Sequence, residues 1–159
     1  MKHWIDTRSI GNWKWKWKSK SNPKSFDILR NKKSVIFGLP GAYTSVCSAK
    51  HLPGYVNNSE KYKQKGVDQI ICMSVNDPFV MHAWGEFNNG NEHIKMMSDI
   101  GGYLARKMKI ETDFGPNLLM RMKRFAMIIK NNEIKEYIID EKGDYGKTSA
   151  ENIISLLKK

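Results

Sequence analysis

Along the chain, apolar residues come in short blocks separated by polar turns, and blocks of two kinds alternate. "SVIFG" (34–38) and "VDQIICMSV" (67–75) are nearly continuous apolar runs of strand length, the pattern of strands buried on both faces. Between them, the residues from Cys47 to about Gln64 have helical spacing, with Pro53 inside to remove a hydrogen bond and kink the helix. Asp77 before Pro78 reads as an N-cap followed by a proline at the first helical position, and predicts a helix through about Asn88. "HIKMMSD" (93–99) reads as a strand and "GGYLARKMK" (101–109) as a helix. "KRFAMIIKNNEIKEYIID" predicts a hairpin turning at Asn131-Asn132. "TSAENIISLLKK" predicts a closing helix, capped by Thr148 or Ser149, with Lys158 and Lys159 at its negative end.

This order implies an α/β fold, a three-layer α/β/α sandwich with a mixed sheet. Two buried strands around a helix form a parallel crossover, which is right-handed by the usual rule, and the late hairpin adds antiparallel strands. No internal repeat or low-complexity linker divides the chain, so one domain is expected over residues 34–159, preceded by a basic arm over residues 1–33. A chain of 159 residues is long enough to bury a real core. No apolar run approaches the roughly 20 residues of a membrane span. There is no basic start followed by a short apolar stretch, as a secretory signal would have. Two cysteines make no disulfide framework, in keeping with a reducing compartment.

Charge changes the picture only at the N-terminus. The net charge is +11, but +8 of it sits in residues 1–33, where ten Lys/Arg face only Asp6 and Asp27. The body carries +3. Lysine outnumbers arginine 22 to 5, and Asn and Ile are plentiful, a bias that an AT-rich coding sequence would produce. Residues 1–12 have no clear period and are expected to be loosely held. "WKWKWKSK" (13–20) then alternates with period 2, which puts Trp13, Trp15 and Trp17 on one face of an edge strand. A contact with a partner is a second reading. Stacking of the tryptophans on nucleic acid, or binding to a membrane surface, is a third. The weakly charged body argues against that third reading, so neither nucleic acid nor membrane is expected as a partner. The arm is basic and nearly acid-free like an organelle address, but has no clear amphipathic helix.

The chemistry centres on "GLPGAYTSVCSAKHLPGY" (38–55). Cys47 falls where a loop becomes a helix after a central strand. The first helical turn offers unpaired N–H groups and the positive end of the macrodipole, which favour a thiolate, the nucleophilic form of cysteine. A free cysteine serves as readily as a small buried hydrophobe, and position alone leaves both readings open. Thr44, three residues earlier, can turn its hydroxyl toward the sulfur, or can be a simple turn residue. Pro40 can wall a pocket, or merely stiffen the loop.

"PGAYTSVCSAKHLPGY" resembles the active-site loop of peroxiredoxins, built on P-x-x-x-T-x-x-C, and is most similar to the subfamily-five type. The similarity continues through "KGVDQIICMSVNDPFVMHAWG" and "LMRMKRFAMII" to "ENIISLL", covering about residue 34 onward but not the arm. The resemblance implies a thioredoxin-like fold and a thiol peroxidase for hydrogen peroxide and alkyl hydroperoxides, with no metal or bound organic cofactor. It makes Cys47 the peroxidatic cysteine, oxidised to sulfenic acid. Thr44 would hydrogen-bond the sulfur and the incoming peroxide, Pro40 would shield the pocket, and the backbone at Gly41, Val46 and Cys47 would line it. Arg124, in "KRFAMII", would supply a fixed cationic fork that favours the thiolate and holds the peroxide oxygens. Relatives of this type form dimers near the active-site loop, and the helix at 77–88, with Phe79, Trp84 and Phe87, is expected to contribute.

The remaining candidates are weaker. His51, four residues after Cys47, could pair with it, but the family activates with arginine and the histidine reads as structural. A zinc site from Cys47, His51, Cys72 and His82 lacks any supporting ligand spacing. Cys72, flanked by apolar residues, reads as a core thiol pointing away from the site. Many relatives carry a resolving cysteine near the last helix, but "GDYGKTSAENIISLL" has none. One-cysteine chemistry follows, with an external thiol such as glutathione, glutaredoxin or thioredoxin as reductant. The rival reading is a redox sensor that passes oxidation to a docked partner without turnover. The compartment stays open between cytoplasm and an organelle such as a mitochondrion or plastid.

Overall fold

A computed structural model describes residues 5–6 and 28–157. The alternating Trp-Lys segment, with its predicted edge strand, and the two terminal lysines lie outside the described residues.

The sheet is built around β2 (Lys33–Gly38), whose residues after the first are all buried. It pairs in parallel with β3 (Gln69–Ser74), and β3 pairs in parallel with β4 (Ile94–Ser98). On its other side β2 pairs antiparallel with β7 (Phe125–Lys130), which continues antiparallel to β8 (Glu133–Ile139). The short β1 (Ile5–Asp6) adds antiparallel to β4, giving the order β1-β4-β3-β2-β7-β8. The predicted loose start is therefore paired at this point, on the open edge of β4.

Strand alternation divides the core in two. Val35 and Phe37 of β2, Ile70 and Cys72 of β3, and Ile94 and Met96 of β4 pack on one face with Leu52, Tyr55, Tyr62, Trp84 and Ile153. Ile36, Ile71, Met73, Met97 and Met127 point to the other face and pack with Ala105. Helices thus cover both faces, as expected of an α/β/α sandwich. Ile28 and Leu29 belong to the second cluster. The packed body therefore begins before residue 34, and its boundary with the arm is earlier than expected.

The predicted helix from Cys47 to Gln64 is three pieces. A π-helical turn (Cys47–His51) runs into α1 (Leu52–Asn57), and α2 (Ser59–Gln64) follows a break at Asn58. Pro53 lies in the first turn of α1, where its missing N–H costs least. Asp77 caps α3 (Pro78–Phe87) through its carboxylate, which accepts from the N–H groups of Phe79 and Val80 at 2.9 and 3.0 Å. α4 (Tyr103–Lys107) follows β4. Ser149 rather than Thr148 caps α5 (Ala150–Leu156). Asn131 and Asn132 both have positive φ, the conformation of a tight hairpin turn. A small sheet of β5 (Glu111–Asp113) and β6 (Met120–Met122) was not predicted, because three-residue strands carry too little alternation to read.

Candidate active site

Strand β2 delivers the loop that carries the site. Its last residue, Gly38, pairs with Phe125, the first residue of β7. A Cβ on Gly38 would stand 2.0 Å from Phe125 Cε1, so the ring lies directly over the glycine and no larger residue fits. Residues 124 and 38–47 are thereby brought to the same end of the sheet, although they are far apart in sequence.

The loop is braced from below. Asn76 Oδ1 accepts from Ala42 N–H at 2.9 Å and from Ser74 Oγ at 2.7 Å. Pro40 and Gly41 are buried. Thr44 Oγ1 donates to the Gly41 carbonyl at 2.8 Å. Its one proton is therefore committed to the loop and not to the sulfur, contrary to expectation, and what it retains toward a ligand is acceptor capacity. Tyr43 adopts φ 60°, a left-handed conformation unusual for a bulky side chain, at the tip of the same loop.

The first backbone bond of the helix runs from Ser48 N–H to the Thr44 carbonyl at 3.0 Å. The N–H groups of Val46 and Cys47 precede it, at the positive end of the helix. The Leu52 N–H reaches the Cys47 carbonyl, the wide spacing of a π turn. Cys47 is fully buried. Arg124 Nη1 donates to Cys47 Sγ at 3.0 Å, while its Nε donates to the Asp144 carbonyl at 3.1 Å. Among the described residues no carboxylate lies in ion-pair range of Arg124. Its charge is therefore available to the sulfur, and burial makes that charge count for more than it would in water.

The turn that holds Arg124 is itself tied down. Asp140 Oδ1 accepts from Lys147 N–H, and Oδ2 from the N–H and hydroxyl of Thr148. Burial pushes the Asp140 carboxyl up, but the hydrogen bonds from Thr148, Lys147 and Gly146 outweigh that and hold it below its ordinary value. The Thr148 carbonyl in turn accepts from Tyr55 Oη at 2.8 Å and from His51 Nε2 at 3.1 Å. His51 is enclosed by Phe37, Tyr55 and Tyr145. Burial, then the charge of Arg124, lower its pKa to about 3. It is a neutral packing residue that ties the cysteine helix to the turn, and not a base for Cys47.

The other candidates separate. Trp84 is buried and donates from Nε1 to Ser48 Oγ at 3.0 Å, so it anchors the cysteine helix rather than a surface contact. Phe79 and Phe87 are exposed, and Phe87 lies 6.2 Å from the ring of Tyr43. His82 sits on α3, paired with Glu86. Cys72 faces the same side of the sheet as Cys47, in the same core cluster, and so does not point away as expected. Burial, then the neighbouring Cys47, push its thiol up, which removes nucleophilic thiolate. Asn76, Asp140, Asp144 and Thr148 were not anticipated. Nor was Arg121, whose Nη1 lies 3.5 Å from where a Cβ on Gly41 would stand.

Comparison with known proteins points the same way. The Redoxin family pattern matches residues 16–154, beginning inside the basic arm. Peroxiredoxin-2D of Arabidopsis thaliana is 40% identical over 131 residues, covering 82% of this chain and 81% of that protein. The chain belongs to the peroxiredoxin family. This peroxiredoxin is also 38% identical to the mitochondrial peroxiredoxin-2F of Arabidopsis thaliana, over 80% of this chain and 65% of that one. Reduced Prx3 of Vibrio vulnificus in complex with hydrogen peroxide superposes with a TM-score of 0.81 at 37% identity, over 84% of this chain and 85% of that one. The 1-Cys peroxiredoxin antioxidant protein of Plasmodium falciparum gives 0.75 at 27%, over 83% and 81%. The fold is accordingly thioredoxin-like, and the peroxiredoxin is a thiol-dependent peroxidase, an oxidoreductase.

Proposed function

We propose that the protein reduces hydrogen peroxide and alkyl hydroperoxides at Cys47 and is regenerated by an external thiol, glutathione being the first candidate and glutaredoxin or thioredoxin the next. The observation that carries this reading is the bond from Arg124 to the Cys47 sulfur, made in the first turn of a helix. The Cys47 thiolate attacks one peroxide oxygen, the O–O bond breaks, and its electron pair leaves on the distal oxygen, which takes a proton to become water or an alcohol. The sulfur gains one oxygen as sulfenic acid. Arg124 offsets the charge moving onto the leaving oxygen, and the Val46 and Cys47 N–H groups assist. Thr44 accepts a hydrogen bond from the peroxide O–H and fixes its approach. Pro40 and Gly41 wall the pocket.

The second half-reaction comes from outside. Cys72, the other cysteine of the chain, is buried as an un-ionised thiol, which supports a one-cysteine cycle. The external thiol attacks the sulfenic sulfur, releases water and leaves a mixed disulfide, and a second thiol frees Cys47. The exposed Tyr43–Phe87 ring pair beside the loop, with Phe79 exposed on the same helix as Phe87, supports homodimerisation there. The mitochondrial relative makes an organelle one proposed location and the cytoplasm the other.

Stopped-flow oxidation of the reduced protein, followed by steady-state turnover with glutathione, glutaredoxin and thioredoxin, tests the cycle. Rapid loss of the Cys47 thiol and sustained peroxide consumption with at least one reductant are expected. Rapid oxidation without turnover on any of them would favour the sensor reading.

A further inference from the structure

We infer that Asp140 is a positioning residue for the peroxidatic centre: it sets the direction of the Arg124 guanidinium through the turn at residues 144–148. This rests on the peroxidase reading above and adds a residue to it.

Arg124 and Asp140 sit opposite one another at the end of the β7–β8 hairpin, one step beyond the Phe125–Ile139 pair. Asp140 N–H donates to the Arg124 carbonyl at 3.0 Å, which fixes the arginine backbone. The Asp140 carboxylate then folds the following chain back over the hairpin end. Oδ1 takes the Lys147 N–H at 3.0 Å, and Oδ2 takes the Thr148 N–H at 3.0 Å and the Thr148 hydroxyl at 2.5 Å. Gly146 N–H approaches Oδ2 at 3.5 Å. That fold brings the Asp144 carbonyl onto Arg124 Nε, and Nη1 then points at Cys47 Sγ.

The division of labour is chemical. A carboxylate placed directly on the guanidinium would compete with the sulfur for its charge and its N–H groups. Here the carboxylate is satisfied by the turn, and what the Arg124 Nε meets is the neutral Asp144 carbonyl. The cation is held in place without being neutralised. The same turn presents the Thr148 carbonyl to His51 and Tyr55, so the hairpin end and the cysteine helix are registered against one another by one loop.

The test is Asp140→Asn in the full chain, with circular dichroism to establish folding. Asparagine keeps an acceptor at Oδ1 but places an amide N–H₂ against the Thr148 donors. Two readouts are taken: the pH profile of Cys47 alkylation by iodoacetamide in a Cys72→Ser background, and the rate of oxidation by hydrogen peroxide. The alkylation profile should move to higher pH and oxidation should slow at least tenfold. In an Arg124→Ala background, the same Asp140→Asn change should add little to either. Thr148→Val, which removes one donor to Oδ2 and retains the backbone, should shift both readouts in the same direction by less. It serves as the test should Asp140→Asn not fold. An unmoved profile in a folded Asp140→Asn or Thr148→Val protein would overturn the inference. So would a full additional loss in the Arg124→Ala background. Failure of the peroxidase reading is separable, because it would appear in the unmodified protein as a Cys47 that peroxide does not oxidise.

Discussion

Lowering the pH from 7 to 5 should destabilise the protein through one residue, His51. In the fold its pKa is about 3 because the ring is buried and faces Arg124. In the unfolded chain it returns to the ordinary value of 6.5. Folding thus lowers the pKa, so the unfolded chain takes up the proton first. Stability conferred by the neutral imidazole is full above 6.5 and is lost progressively as pH falls toward 3. At pH 5 the unfolded state has gained roughly 1.5 pKa units of protonation free energy that the folded state cannot match, or about 2 kcal/mol. His51 is fully buried, so solvent does not screen this penalty away. His51→Gln, which can keep an N–H donor for the Thr148 carbonyl, removes the titration. Urea unfolding at pH 7, 6 and 5 measures the effect in both proteins. The wild type should lose about 2 kcal/mol more than His51→Gln across that range. Parallel stability curves would refute the account of His51 as a neutral, enclosed ring.

The other expectations concern the site directly. Cys47→Ser should abolish peroxide turnover, whereas Cys72→Ser should turn over near normally; loss of activity in the latter would make Cys72 the resolving thiol. Arg124→Ala should slow oxidation of Cys47 by about 100-fold and move its alkylation profile to higher pH, and an unchanged pH–rate profile would remove the arginine from its role. Gly38→Ala forces a methyl group into the Phe125 ring and should cost about 1–3 kcal/mol by thermal or urea unfolding.

Much of the frame could be read from periodicity. The apolar runs at β2 and β3 and the Asp77-Pro78 cap of α3 were each marked by a strong local signal, and so was the Asn131-Asn132 turn. Where local signal was weak the reading failed. β5 and β6 are too short to alternate, and the break at Asn58 lies within continuous helical spacing. The cysteine loop was legible because its proline, threonine and cysteine fall within eight residues. Arg124 was identifiable only through the family resemblance. The groups that orient it were not, since Asp140, Asp144 and Thr148 act through backbone atoms of a turn whose shape no side-chain pattern announces. Cys72 was placed on the wrong side of the sheet because a fully buried strand has no polar face from which to take the phase. Thr44 was expected at the sulfur, and in the fold its proton goes to a carbonyl three residues back.

The bond between Arg124 and Cys47 spans 77 positions of sequence. On the ribosome, the cysteine leaves the exit tunnel well before its arginine, and the turn that orients the arginine emerges later still. Until then the nascent chain carries an ordinary thiol with no cation aimed at it. The arrangement around the sulfur is therefore assembled only after the hairpin and its turn have followed the cysteine out of the ribosome.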